Sequence, residues 1–278
     1  MRTIVHLSDV HFGRVDYAVV ERLTETINQI KPNLVVVSGD LTQRARSEQF
    51  VKARAFLDKL PEPQIVVPGN HDVPLYNVLA RFASPLEKYK KYITADLHPF
   101  YADEEIAVLG VNTARSLTVK GGRINQEQVG FIREKFCVLR DEILKIVVTH
   151  HPFDLPEGFD ENYLVGRARM AMERIAHCGA DLFLSGHLHV SHVGHTAERY
   201  KLADGRSALV VQAGTATSTR GRGEANSFNL IEFERPRLIV KRFECASAKD
   251  GFALTETQSF LRIEKGWKRE DGEKSKRE

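Results

Sequence analysis

Thr3-Ile4-Val5-His6-Leu7-Ser8-Asp9-Val10-His11 is a short β-branched run that breaks at once into a polar turn. The same pattern returns four times. Runs at 34–37, 64–67, 145–149 and 181–184 lead into Ser38-Gly39-Asp40, Pro68-Gly69-Asn70-His71-Asp72, Thr149-His150-His151-Pro152 and Ser185-Gly186-His187-Leu188-His189. Polar alternation is largely missing from these runs, which predicts strands buried on both faces. Further strand-like runs lie at 106–111, 208–211, 228–233 and 238–243. Between them, Asp16 is placed to N-cap a helix with an apolar stripe of Val19, Val20, Leu23, Ile27 and Ile30. Asn125 with Gln128 three residues on predicts a second capped helix, its stripe Val129, Ile132, Phe136 and Leu139. Strand and helix alternate over the first two thirds, and residues 193–262 read as strand after strand. That pattern implies a mixed sheet, or two sheets packed together with helices outside.

The 278 residues are 42% apolar and 28% charged, a composition that excludes disordered and collagenous chains. No apolar run approaches the ~18–20 residues of a membrane span. A net charge of +3 is too small to imply nucleic acid or a strongly acidic partner. Cys137, Cys178 and Cys245 form no CxxC pair and read as buried thiols of a reducing compartment. The N-terminus lacks the features of a signal peptide, so a cytoplasmic protein is expected. One domain is expected over 1–263, with a helical excursion at 74–103 that could form part of a substrate cap. Eleven of the last fifteen residues are charged, which predicts a disordered tail over 264–278.

In an α/β sheet the carboxyl ends of the strands converge on one crevice, so the five polar turns can meet there. They bring two carboxylates, one side-chain amide and several imidazoles. Mixed oxygen and nitrogen donors without thiolate suit Mn, Fe or Zn and disfavour calcium. The donors exceed the ~4 ligands of one structural zinc, which implies two metals bridged by a carboxylate. Glycines at 39, 69 and 186 would permit the sharp turns that aim the next side chain inward.

Asp9-Val10-His11, Gly39-Asp40, Gly69-Asn70-His71-Asp72, His150 and Gly186-His187-Leu188-His189 resemble, in order, the five motifs of the calcineurin-like metallophosphoesterase superfamily. The resemblance covers residues 4 to about 230. It implies an α/β fold of two facing mixed β-sheets flanked by helices, a four-layer αββα sandwich. It also implies one metal held by Asp9, His11, Asp40 and His189 and another by Asp40, Asn70, His150 and His187. Mn or Fe would fill these positions, with Zn the alternative. Two dications and two carboxylates leave a local charge of about +2, which attracts a phosphate anion. The implied reaction is attack on phosphorus by a metal-bridging hydroxide. Asn70 and His71 would contact substrate, and His71 would protonate the departing alkoxide. Asp72 and His151, next to these positions, are left without a fixed role.

The protein serine/threonine phosphatases carry G-D-x-x-D-R-G at the second motif. Here Gln43 and Ala45 depart from it in Gly39-Asp40-Leu41-Thr42-Gln43-Arg44-Ala45. The layout is more similar to the class III cyclic nucleotide phosphodiesterases. The expectation is a hydrolase of a small-molecule phosphodiester such as a 3',5'-cyclic nucleotide. The alternatives are a nuclease or a broad phosphomonoesterase, and, in another class, a non-catalytic scaffold of the same fold. A homodimer is implied by the resemblance, nucleic acid is the less favoured partner, and no membrane association is expected. His6, His98, His177, His192 and His195 are assigned to no site. Nine basic residues between Arg199 and Arg242 read as solvated faces, with Arg220 and Arg222 singled out as phosphate contacts to test.

Overall fold

The computed structural model describes residues 1–75, 78–116, 120–202, 205–219 and 223–270. The chain runs β1 (Arg2–Leu7), α1 (Tyr17–Ile30), β2 (Leu34–Val37), α2 (Ser47–Leu57), β3 (Gln64–Val66), α3 (Val78–Ala83) and α4 (Glu87–Tyr92). It continues through β4 (Phe100–Ala102), β5 (Ile106–Gly110), α5 (Gln126–Phe136), β6 (Leu144–Val148), α6 (Ala168–Ile175) and β7 (Leu182–Ser185). β8 (His192–His195), α7 (Thr196–Arg199), β9 (Leu209–Gln212), β10 (Asn226–Glu234), β11 (Arg237–Cys245), β12 (Ala253–Ile263) and β13 (Gly266–Glu270) complete it.

Seven strands form one sheet in the order β13-β12-β11-β10-β1-β2-β3, and six form another in the order β4-β5-β6-β7-β9-β8. β1, β2 and β3 are parallel, as are β5, β6, β7 and β9, while β10 joins β1 antiparallel. Alternation along each strand then makes three apolar layers. Ile4, Val36, Ile146, Leu184 and Val211 meet between the sheets. Val5, Leu7, Leu23, Ile27 and Phe50 pack α1 and α2 on one outer face. Val147, Phe183, Ile132 and Met172 pack α5 and α6 on the other. The result is the expected four-layer αββα sandwich. Both capping expectations hold: Asp16 accepts from the Ala18 N–H at 2.9 Å, and Asn125 and Gln128 form a reciprocal capping box.

Three features depart from expectation. The charged stretch after residue 263 does not begin a disordered tail, because residues 266–270 pair as β13 against β12. Trp267 is buried there and donates its indole N–H to the Asp181 carbonyl at 3.1 Å. One large aromatic outweighs the charges around it, and residues 271–278 lie outside the described residues. Cys137 and Cys178 are joined in a disulfide, so only Cys245 keeps the expected buried thiol. Forty-one residues separate the pair in sequence, and the packing of α5 beside α6 brings their Cα atoms to 4.4 Å. Finally, the 74–103 segment is not helical throughout and ends in the edge strand β4. α4 lies beside α2 in the outer layer, where Tyr89 is buried and donates to the Val66 carbonyl.

Among the described residues no helix is long and apolar enough to cross a membrane. Several basic residues of the last third are paired with carboxylates. Arg199 pairs with Asp154 and Glu161, Arg237 with Glu270, Lys241 with Glu232, and Arg242 with Glu224 and Glu244. Arg220 and Arg222 lie outside the described residues.

Candidate functional site

The five polar turns follow β1, β2, β3, β6 and β7 and meet at one end of the sandwich. Backbone hydrogen bonds stitch them together, from Asp9 N–H to the Gly39 carbonyl, from His11 N–H to the Asp40 carbonyl, and from Gly186 N–H to the His150 carbonyl. Asp9, His11, Asp40, His187 and His189 take φ between 54° and 74°. Left-handed backbone at non-glycine residues costs ~1–3 kcal/mol each and persists only where the surroundings impose it. That five site residues share it shows how the turns aim their side chains. The predicted role of the glycines is accordingly narrower. Gly39 alone of the three has positive φ, at 98°. Gly69 and Gly186 are needed for space, since a Cβ would overlap Asp40 Oδ1 at the first and Ser8 Oγ at the second.

Each buried aspartate has one oxygen fixed and one presented. Asp9 Oδ2 accepts from Ser8 Oγ–H at 2.7 Å and from the His187 N–H at 3.0 Å. Its Oδ1 faces His11 Nε2 and His189 Nε2, both at 3.5 Å. Asp40 Oδ1 accepts the His71 N–H at 2.8 Å. Its Oδ2 faces His11 Nε2 at 3.8 Å and His150 Nε2 at 3.4 Å. Asn70 Oδ1 lies 3.1 Å from both His150 Nε2 and His187 Nδ1. Supporting bonds orient the imidazoles. His150 Nδ1–H donates to the Ser38 carbonyl at 2.8 Å, and His189 Nδ1 meets Thr215 Oγ1 at 2.6 Å.

Asp9 Oδ1 and His11 Nε2 are buried without a hydrogen-bond partner among the described residues. Leaving such atoms unpaired costs ~1–3 kcal/mol apiece, and a cation seated among them satisfies them. Asp9, His11 and His189 form one group able to hold a metal ion, and Asp9, Asp40 and His150 another. All seven residues expected as ligands are therefore brought together.

His71 sits beside this cluster, its ring 4.9 Å from that of His11 and its Nδ1 2.9 Å from the Gln43 carbonyl. Nδ1–H donating to that carbonyl fixes the orientation of the ring. His71 and Asn70 line a cavity of about 170 Å³ with Gln43, Arg44, Val73, Leu75 and Lys120. Among the described residues of the 74–103 segment, Leu75 reaches it. Asp72 faces away and accepts from the backbone of Gly69, Leu41 and Thr42 and from Thr42 Oγ1, tying two turns together. His151 is also buried, with Nδ1 on Thr113 Oγ1 at 2.8 Å and Nε2 on the Lys120 carbonyl at 3.0 Å. Both its nitrogens are engaged, although it stands with His150 and His187 in a third group of possible ligands.

Residues 2–191 match the family model of the calcineurin-like phosphoesterases. The chain belongs to this family. It is 25% identical over 185 residues to a probable glycerophosphodiester phosphodiesterase of Arcobacter nitrofigilis, a match covering 60% of this chain and 64% of that one. A glycerophosphodiester phosphodiesterase of Enterobacter lignolyticus is 31% identical over 25% of this chain and 29% of its own length. The chain thus spans less than two thirds of these two relatives. A probable cyclic nucleotide phosphodiesterase of Xenorhabdus bovienii is 24% identical, covering 83% of this chain and 95% of that one. In fold, the chain is similar to purple acid phosphatase PPD1 of yellow lupin (TM-score 0.70, 12% identity, 95% of this chain and 54% of that one). It is also similar to a dimetal phosphatase from Danio rerio (TM-score 0.64, 15% identity, 94% and 99%).

The electrostatics of this calcineurin-like site are those of acids and bases held for a cation. Burial raises the Asp9 carboxyl, but the His189 and His11 imidazoles outweigh it and hold the group below the usual carboxylate range. Asp40 is likewise raised by burial and then driven well down by His150. Burial lowers His150, yet Asp40 prevails and raises it to about 9. His187, lacking such a partner, is pushed down to about 3 by burial and by His150. The carboxylates hold His11 above its ordinary value as well, and a proton on His150 is one that a dication at the same place displaces. The residues that sequence reasoning missed are the supports Ser8, Ser38 and Thr215. Each lies within two residues of a motif or glycine turn, but nothing in its spacing marks it as a partner.

Proposed function

We propose that the protein is a dinuclear-metal-dependent phosphodiesterase acting on a small-molecule phosphodiester, with a 3',5'-cyclic nucleotide as its substrate. The carrying observation is Asp40 Oδ2, one carboxylate oxygen faced by His11 on one side and His150 on the other. Asp9, His11, Asp40 and His189 would hold one metal, and Asp40, Asn70, His150 and His187 the second, with Mn or Fe preferred over Zn. When bound, two dications supply Lewis acidity, neutralising the phosphoryl oxygens and acidifying water. The chain's own contribution is positional. Asn70 and His71 contact the substrate, and His71 Nε2–H gives its proton to the leaving oxygen while the Gln43 carbonyl holds Nδ1–H. Burial of Asp9 and Asp40 keeps bulk water from competing for their presented oxygens.

The second substrate class is a glycerophosphodiester, named for the Arcobacter relative. The test is metal analysis of the purified protein with turnover of bis(4-nitrophenyl) phosphate, 4-nitrophenyl phosphate and single-stranded DNA. Diester turnover that requires about two metals per chain supports the reading. Turnover of the monoester alone, or of DNA alone, overturns it, and no turnover with both metals bound leaves a scaffold. A homodimer belongs to the same proposal and is read by light scattering. The cytoplasmic location is proposed as well, and a Cys137–Cys178 disulfide in protein taken directly from cells would count against it.

A further inference from the structure

The loop that follows His150 and His151 carries an aromatic residue to the cluster. Tyr163 lies with its ring centroid 6.0 Å from that of His187 at an interplanar angle of 53°. Phe159 also lies against this ring, 6.4 Å away and edge-on at 73°. Among the described residues, Tyr163 is the phenylalanine, tyrosine or tryptophan whose ring contacts a histidine of the cluster. The ring is half-buried, and the loop that carries it is held in place from several directions. Asp160 caps its turn by accepting from the Asn162 N–H at 2.8 Å. The Val165 N–H closes the loop on the Pro152 carbonyl at 2.9 Å. Arg199 clamps it from outside, with Nε on Asp154 at 2.7 Å and Nη1 on Glu161 at 2.9 Å. Phe153 and Val165, on the same loop, are buried in the core. A platform fixed in this way needs little ordering when a ligand stacks on it.

The cavity at His71 has a different character. Apart from His71 itself its walls are aliphatic, amide and cationic, from Val73, Leu75, Gln43, Asn70, Arg44 and Lys120. That cavity offers a planar ring the His71 imidazole and the Arg44 guanidinium but no phenyl, phenol or indole ring, which Tyr163 supplies on the His187 side of the cluster. We infer that Tyr163 is a specificity-determining residue, on which a planar heteroaromatic ring of the phosphodiester stacks while the ester lies at the Asp and His cluster. A nucleobase is the biological example of that ring. The inference rests on the phosphodiesterase reading and chooses between its two substrate classes, because a glycerophosphodiester has no ring to place.

The experiment compares wild type, Tyr163→Ala, Tyr163→Phe and Tyr163→Leu, all with metal content measured, on 3',5'-cyclic AMP and on glycerophosphoethanolamine. Base stacking on an aromatic side chain predicts a loss of about 5- to 150-fold in kcat/KM for cyclic AMP with Tyr163→Ala, mostly through KM. Tyr163→Phe retains wild-type efficiency, and Tyr163→Leu, which keeps bulk without a π face, falls with the alanine variant. Turnover of glycerophosphoethanolamine stays within about twofold in every variant, since it makes no stacking contact. Calorimetry supplies a readout apart from turnover: AMP binds more weakly to Tyr163→Ala by the same factor, and glycerol 3-phosphate does not. Equal losses on both diesters, or a wild type that cleaves glycerophosphoethanolamine and not cyclic AMP, overturn the assignment and leave the phosphodiesterase reading standing. A metal-loaded wild type that cleaves neither diester removes both.

Discussion

At the scale of single residues, the division of labour within each carboxylate is what makes the cluster a site. A backbone N–H fixes one oxygen of Asp9 and one of Asp40, so the other oxygen of each is presented without rotational freedom. The Asp40→Ala variant is therefore expected to lose both metals and all diester turnover, read by elemental analysis and kinetics on the same sample. His71→Ala keeps the backbone N–H that holds Asp40, so its metal content is expected to be unchanged. Its kcat should fall ~10²- to 10⁴-fold on esters of basic alcohols and much less on 4-nitrophenyl esters, whose leaving group needs no proton. Wild-type rates from His71→Ala on an alkyl diester would end the general-acid assignment. The electrostatics add a pH dependence. His150 is raised to about 9 by Asp40 acting against burial, so below that pH a metal must displace its proton. Apparent metal affinity should climb with pH by up to about tenfold per unit for each proton displaced and level off near pH 9, measurable by competition with a chelator of known affinity.

At the scale of elements, the turns after the strands hold the function and the strands only deliver them. The nine runs read as strands all appear as strands; most are buried on two faces, which leaves a continuous apolar signature, while β11 is buried on alternate residues at its start. β4, at three residues, and β13, rich in charge, carry no such signature and were not legible. The turns were legible as clusters of polar residues but not in their backbone, since nothing in the sequence announces left-handed geometry at five non-glycine residues. Gly69 shows how tight the result is. Gly69→Ala puts a methyl group onto Asp40 Oδ1, and a displacement of that size is expected to cost about 10²-fold in turnover together with metal occupancy. Far-UV circular dichroism should stay unchanged. Gly130 in α5 is the control, where a Cβ meets nothing within 4 Å and Gly130→Ala should stabilise by ~0.5–1 kcal/mol without touching activity.

At the scale of the whole molecule, the sandwich is closed by its C-terminal hairpin. Asp181 joins the two sheets there, with Oδ2 on the Lys145 N–H at 2.9 Å and Oδ1 on Arg262 at 2.8 Å, and Trp267 covers it. Trp267→Ala should cost ~3–5 kcal/mol in urea unfolding, a loss that a disordered tail would not produce. Metal content of the folded fraction should be unaffected, because the hairpin packs away from the strand ends that form the site.

The sequence by itself determined the class of fold, the identity of the residues at the strand ends and their capacity to bind metal ions. Those properties follow from local chemistry, from which side chains are apolar and which atoms donate. Tertiary structure alone decided that Asp40 offers one oxygen to two histidines, that Cys137 meets Cys178, that Trp267 anchors β13, and that Tyr163 stands beside His187. Each of these depends on distances between segments far apart in sequence, and packing sets those distances where spacing along the chain carries no information about them.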